Sequence, residues 1–141
     1  MYRNVLVAYD GSDGARAALD RAVDVAQSGD TALTLVESTA KASAPVLPEI
    51  PPADADAAAR ARLSLKRAIE TLDPELAAAP WVVGGPPARA ILAVADEIDA
   101  DLIVTGSRGR GQVASALLGS VATELVQNAT CDVLVVHPTE D

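Results

Sequence analysis

The sequence predicts an α/β fold around a parallel sheet, and three observations carry that reading. Short apolar runs alternate with stretches of helical periodicity, giving five candidate strands and four candidate helices. The chain opens strand–helix–strand, an order that requires parallel strands joined by a right-handed crossover. Half of the residues are hydrophobic, mostly Ala, Val and Leu, with no Phe. Small and branched aliphatics of that kind suit tight layers of helix on sheet. At 141 residues without an internal repeat, residues 1–141 are expected to form a single domain with a sizeable core.

The elements follow in order. Asn4 to Tyr9 is a short apolar run closed by the turn signal Asp10-Gly11-Ser12-Asp13-Gly14. Ala15, Ala18, Leu19, Ala22, Val23 and Ala26 then recur at helical spacing, with Ser12 or Asp13 as candidate cap and Ser28-Gly29-Asp30 as the stop. Thr31 to Val36 is a β-branched second strand. Residues 39–53, with four prolines and no periodicity, read as a loop that is either a lid over a ligand or a tolerated insertion.

Helical pattern resumes over Asp54–Leu72, with Ala58, Ala61, Leu65, Ala68, Ile69 and Leu72 as the apolar stripe. Arg60, Arg62, Lys66 and Arg67 form its solvated face. Pro80 to Val83 is a third strand whose proline suits a sheet edge. A helix over Ala88–Ile98, a strand over Asp101–Thr105, a helix over Ser120–Asn128 and a strand over Asp132–Val136 complete the pattern.

Charge and composition exclude several function classes. A formal charge of −9 lacks the basic footprint of a nucleic-acid or membrane-surface protein. Three aromatics, Tyr2, Tyr9 and Trp81, are too few for base-stacking platforms. The single Cys131 precludes an internal disulfide and fits a reducing compartment. With no signal-peptide pattern and no apolar stretch long enough for a bilayer, the expected location is the cytoplasm.

The chemistry concentrates where the apolar run Leu102-Ile103-Val104 breaks into Thr105-Gly106-Ser107-Arg108-Gly109-Arg110-Gly111 and then Gly119-Ser120 at a helix start. Glycines between a strand end and a helix start let a ligand approach the backbone, and helix N-termini favour anions. Arg108 and Arg110 are the only lysine or arginine residues after Arg89, and both lie in this loop. A phosphate is the expected guest. No Gly-Lys-Ser/Thr ending is present, so the loop is not a P-loop, nor does it carry the dinucleotide fingerprint. If the first and fourth strands are neighbours, Asp10 faces this loop across a switch point.

Other chemistry is thin. His137 has no partner at metal-ligand spacing, Cys131 has no base nearby in sequence, and Trp81 reads as a packing residue. Ser107, Ser115, Ser120 and Thr123 are conceivable phosphate acceptors from a bound nucleotide.

The Gly-Ser-Arg-Gly of 106–109, followed by nine residues and then Gly119-Ser120, resembles the motif of the ATP-binding branch of the universal stress protein family. The opening Val5-Leu6-Val7-Ala8-Tyr9-Asp10-Gly11-Ser12, the element Gly85-Pro86-Pro87-Ala88-Arg89-Ala90-Ile91 and the closing Cys131-Asp132-Val133-Leu134-Val135-Val136 are similar to the family's other conserved segments. The resemblance implies an open five-stranded parallel sheet of order 3-2-1-4-5 with helices on both faces, of the adenine nucleotide alpha hydrolase-like type. It also implies a homodimer through the last strand and ATP, or a related adenine nucleotide, at the switch point.

Carried over, Thr105, Gly106, Arg108 and Gly109 would flank the ribose and phosphates, Gly119, Ser120 and Val121 would hold the phosphate tail, and Asp10 would face the ribose or a metal-bound water. A backbone amide at Ser38 would read the base, although Glu37-Ser38 stands where the family usually has His-Val. Mg²⁺ would bridge phosphate oxygens and water rather than sit in a protein cage. The implied role is regulation through nucleotide state, with binding favoured over turnover because no second catalytic carboxylate is evident. The alternatives are a slow ATPase or autophosphorylating protein using the same site, and a nucleotide-free dimeric scaffold.

Overall fold

The computed structural model describes residues 1–26, 30–39, 55–108 and 118–138. The proline-rich stretch from residue 40 to 54, together with Gly109, Arg110 and Ser115, lies outside the described residues. The lid-or-insertion question therefore lies there too.

Among the described residues five strands and four helices alternate: β1 Asn4–Ala8, α1 Asp13–Ala26, β2 Ala32–Ser38, α2 Ala55–Glu70, β3 Ala77–Val83, α3 Pro87–Glu97, β4 Leu102–Gly106, α4 Ser120–Asn128 and β5 Asp132–Val136. The strands form one parallel sheet in the order β3-β2-β1-β4-β5. The apolar run of β1 is continuous because the strand is covered on both faces, as in other doubly covered parallel sheets. Val5, Leu6 and Val7 are all fully buried. Successive residues serve opposite cores: Val5 and Val7 pack with α1 and α2, and Leu6 packs with α3 and α4.

The helices present mostly alanine to the sheet. Ala15, Ala18, Ala22 and Ala26 of α1 are buried with Leu19, which lets helix and sheet backbones approach closely. Ser12 caps α1, its Oγ accepting the Ala15 N–H at 3.1 Å, so the choice between Ser12 and Asp13 falls to Ser12. Asp13 instead pairs with Arg16 on the surface.

Two strand boundaries differ from the sequence reading by more than a single residue. Strand β3 begins at Ala77 rather than Pro80, because the edge of β2 supplies partners to three alanines that have little strand preference of their own: Ala32, Leu33 and Thr34 stand against Ala77, Ala78 and Ala79. Strand β2 continues through Glu37 and Ser38, which pair with Val82 and Val83. Pro80 does sit on an edge strand. Trp81 packs into the α3/α4 core, as does Cys131, whose thiol is pushed up by burial and by Asp132 and Asp101, an environment that disfavours the thiolate.

At the end of the sheet opposite the strand C-termini, Asp101 clamps β1 to the start of β4. Its carboxylate accepts N–H bonds from Arg3 at 2.8 Å and Asn4 at 3.0 Å, and its own N–H donates to the Asn4 carbonyl. Burial pushes the Asp101 carboxyl up, but the backbone donors outweigh it and hold it below its ordinary value. A depressed carboxylate contributes stability above its unfolded pKa of about 3.9 and loses it as the pH falls through the lower folded value. Asp101→Asn should therefore lower the unfolding free energy by about 1 kcal/mol at neutral pH. In urea titrations the gap to wild type should close as the pH drops below about 4.

Candidate functional site

Because β1 pairs with β2 on one side and β4 on the other, the chain winds in opposite directions from that point and leaves a crevice beyond the strand C-termini. A cavity of about 770 Å³ occupies it. The β1 end contributes Tyr9 and Asp10, the β2 end Glu37 and Ser38, and the β4 end Thr105 through Arg108. The start of α4 adds Gly119, Ser120 and Val121. Of the residues expected from sequence, Asp10, Ser38, Thr105, Gly106, Arg108, Gly119, Ser120 and Val121 all line this one cavity. Gly109 lies outside the described residues.

Local bonding explains their placement. Gly11, at φ 81°, turns the chain out of β1, and the Ser12 N–H closes onto Asp10 Oδ1 at 2.9 Å, so the carboxylate is held at the cavity wall. The Ser38 hydroxyl donates to the Gly85 carbonyl at 2.6 Å, tying the end of β2 to the turn before α3; Gly85 itself sits at φ 100°. Thr105 is almost wholly buried.

Helix α4 starts at Gly119, which offers no side-chain cap. The Gly119 N–H donates to the Ser107 carbonyl at 2.6 Å and the Thr123 N–H returns to the Gly119 carbonyl at 3.0 Å. The N–H groups of Ser120, Val121 and Ala122 thus have no carbonyl partner within the helix, and all three residues line the cavity. Such a terminus, carrying the positive end of the helix dipole, is suited to an anion.

Helix α2 contributes what the sequence reading missed. Ala57, Arg60, Ala61 and Ser64 line the cavity, so Arg60 is more than part of a solvated face. Their spacing of i, i+3, i+4 and i+7 is itself the signal: a helix row adjoining the Ala61–Leu65–Ala68 stripe. Among the described residues the cavity wall then holds two guanidiniums, Arg60 and Arg108, against two carboxylates, Asp10 and Glu37. In a chain of net charge −9, that local balance relieves the repulsion an anion would meet elsewhere. Among the described residues no cluster of three or more His, Cys, Asp or Glu side chains is placed to hold a metal ion, and none of the described helices is long and apolar enough to cross a membrane.

The universal stress protein family model matches residues 1–137. The chain belongs to the universal stress protein family. A family member from Thermus aquaticus is 36% identical over 141 residues, which cover 97% of this chain and all of the relative. The universal stress protein UspA from Lactobacillus plantarum has a similar structure, with a TM-score of 0.77 and 28% identity, covering 96% of this chain and 97% of the other. A universal stress protein solved in complex with cAMP superimposes with a TM-score of 0.72 and 30% identity over 98% of each chain. The sheet order implied by the family resemblance is the order observed.

Gly106 has a further duty inside the fold. A Cβ there would stand 2.8 Å from the Gly14 carbonyl group, and a Cβ on Gly14 would overlap the Arg108 carbonyl oxygen. The first turn of α1 therefore rests directly on the backbone that leaves β4. Gly14→Ala should cost about 1–3 kcal/mol in chemical denaturation, since neither backbone can retreat without moving the loop.

Proposed function

We propose that this member of the universal stress protein family binds ATP in the switch-point cavity and that its nucleotide state tunes how it associates with itself or a partner. The observation that carries the reading is the uncapped start of α4, whose three N–H groups open into a cavity also lined by Asp10, Ser38 and Arg108. The cavity volume of about 770 Å³ suits a nucleotide. A relative of 30% identity has been solved with cAMP, an adenine nucleotide, which supports the same ligand class here.

In this reading Ser120 and Val121 hold the terminal phosphates, and Arg108, with Arg60 from α2, offsets their charge. Asp10 lies toward the ribose, and Ser38 presents its backbone to the base. Thr105 and Gly106 form the floor, and Gly109, outside the described residues, is assigned to the same ligand by the family motif. Any Mg²⁺ would ride on phosphate oxygens, since the described side chains form no cage of their own. The cytoplasm, where ATP is abundant and a single Cys131 stays reduced, is the fitting compartment.

Thermal melts test the binding. At about a hundredfold excess over Kd, Mg-ATP should stabilise the protein by about 2.7 kcal/mol, a shift of several degrees. Ser120→Pro, at the first helical position and after Gly119 in extended backbone, removes one of the three N–H donors together with the hydroxyl and should shrink that shift while leaving the ligand-free melt close to wild type. A melt unmoved by saturating ATP in the wild type would dispose of the proposal.

We propose a homodimer at β5, which among the described residues pairs only with β4 and stands at the edge of the sheet. Val133, Leu134 and Val135 are only half-buried there, and Val126 of α4, the helix packed on β5, is 53% exposed. Sedimentation should return a mass near twice 14.4 kDa, and Val126→Glu should shift it toward the single chain.

A further inference from the structure

We propose that the exposed face of α2 is a docking surface for an acidic protein segment that carries a large apolar side chain at its centre. The surface goes beyond the nucleotide cavity, and of its residues only Arg60 lines both.

The chain is strongly acidic, at −9, yet four of its eleven lysines and arginines fall within residues 60–67. Arg60, Arg62, Lys66 and Arg67 are all exposed on α2. The two carboxylates of the helix, Asp56 and Glu70, lie near its ends, so α2 carries a net charge of +2. None of the four cations makes an ion pair among the described residues. Arg62 and Lys66 stand four residues apart, a spacing at which like charges repel. A chain of this charge is kept soluble by its carboxylates, so a cluster of unpaired cations adds nothing to solubility.

At the middle of the cluster stands Leu63, 48% exposed and one of four large hydrophobic side chains left exposed among the described residues. On a helix its neighbours lie three and four positions away: Ala59 and Arg60 before it, Lys66 and Arg67 after it. An apolar centre ringed by charge has the anatomy of a small interface. The ring is cationic, so the complementary surface is anionic, and the exposed leucine fits an apolar side chain opposite it. Nucleic acid answers the charge but sets phosphate and sugar where Leu63 needs an apolar contact. A lipid surface fits less well, because the apolar stripe of α2, Ala61, Leu65 and Ala68, is already buried in the fold.

Panning a random-sequence peptide library on the full chain tests the proposal. The selected peptides should be rich in Asp and Glu around a large apolar residue and bind with a Kd of about 10 μM or tighter. High salt should weaken them. The double variant Lys66→Glu/Arg67→Glu should lose about tenfold or more in affinity for these peptides, and Leu63→Ser about fivefold or more. Both variants should keep the Mg-ATP stabilisation and a ligand-free melt within a few degrees of wild type, because none of the three residues lines the cavity.

A library that yields no binder of that affinity, binders without acidic enrichment, or binders that hold either variant as tightly as wild type would overturn the proposal. So would a single-stranded oligonucleotide or anionic lipid vesicles that displace the peptides and themselves lose affinity for Lys66→Glu/Arg67→Glu. A wild-type melt unmoved by Mg-ATP would remove the nucleotide reading alone, since the peptides dock outside the cavity.

Discussion

The meeting of α1 with the exit of β4 is the contact on which the rest of the molecule depends. Gly14 and Gly106 bring two backbones together with no side chain between them, and the Arg108 carbonyl lies directly against the helix. That approach sets the distance between the loop after β1, which carries Asp10, and the loop after β4, which carries Ser107 and Arg108. The hydrogen bond from Gly119 to Ser107 then hangs the start of α4 from the same loop. A cavity wall formed by three separate segments is thus held by one backbone-to-backbone seat, and a methyl group at either glycine would disturb all three.

Much of this was legible in the sequence because it is written in local chemistry. Apolar runs that end in glycine mark buried strands, and Gly119-Ser120 before an alanine-rich stretch marks a helix start. The crevice followed from strand order, and the residues expected there that fall within the described chain line one cavity. What escaped the sequence depends on packing between distant segments. Ala77 to Ala79 became strand because β2 offered an edge with matching register, not because alanine prefers to extend. Arg60 carries the same sequence signature as any surface arginine, and only the seating of α2 over the sheet turns it toward the cavity. Gly106 was legible as a glycine that admits something close; that its neighbour is Gly14, ninety-two residues earlier, required the fold.

The two ends of the sheet divide the labour. Where the strands begin, Asp101 bonds the backbone of Arg3 and Asn4, tying β4 to its neighbour β1, and the Tyr2 hydroxyl reaches past β4 to Asp132 of β5 at 2.6 Å. Where the strands end, donors are left without helical partners and charges of both signs face one volume. Stability and recognition are thereby separated along the strand axis, so that changes at one end leave the other largely intact.

The two outer strands are unequal in a way that bears on assembly. Strand β3 carries Pro80, which lacks an N–H, while β5 runs Asp-Val-Leu-Val-Val without interruption. Fibres grown edge to edge need two receptive margins on every molecule, and Pro80 withholds a donor from the β3 margin. In the dimer proposed above, contact through β5 would close on itself after a single partner, and the exposed strand would then be barred from propagating into a filament.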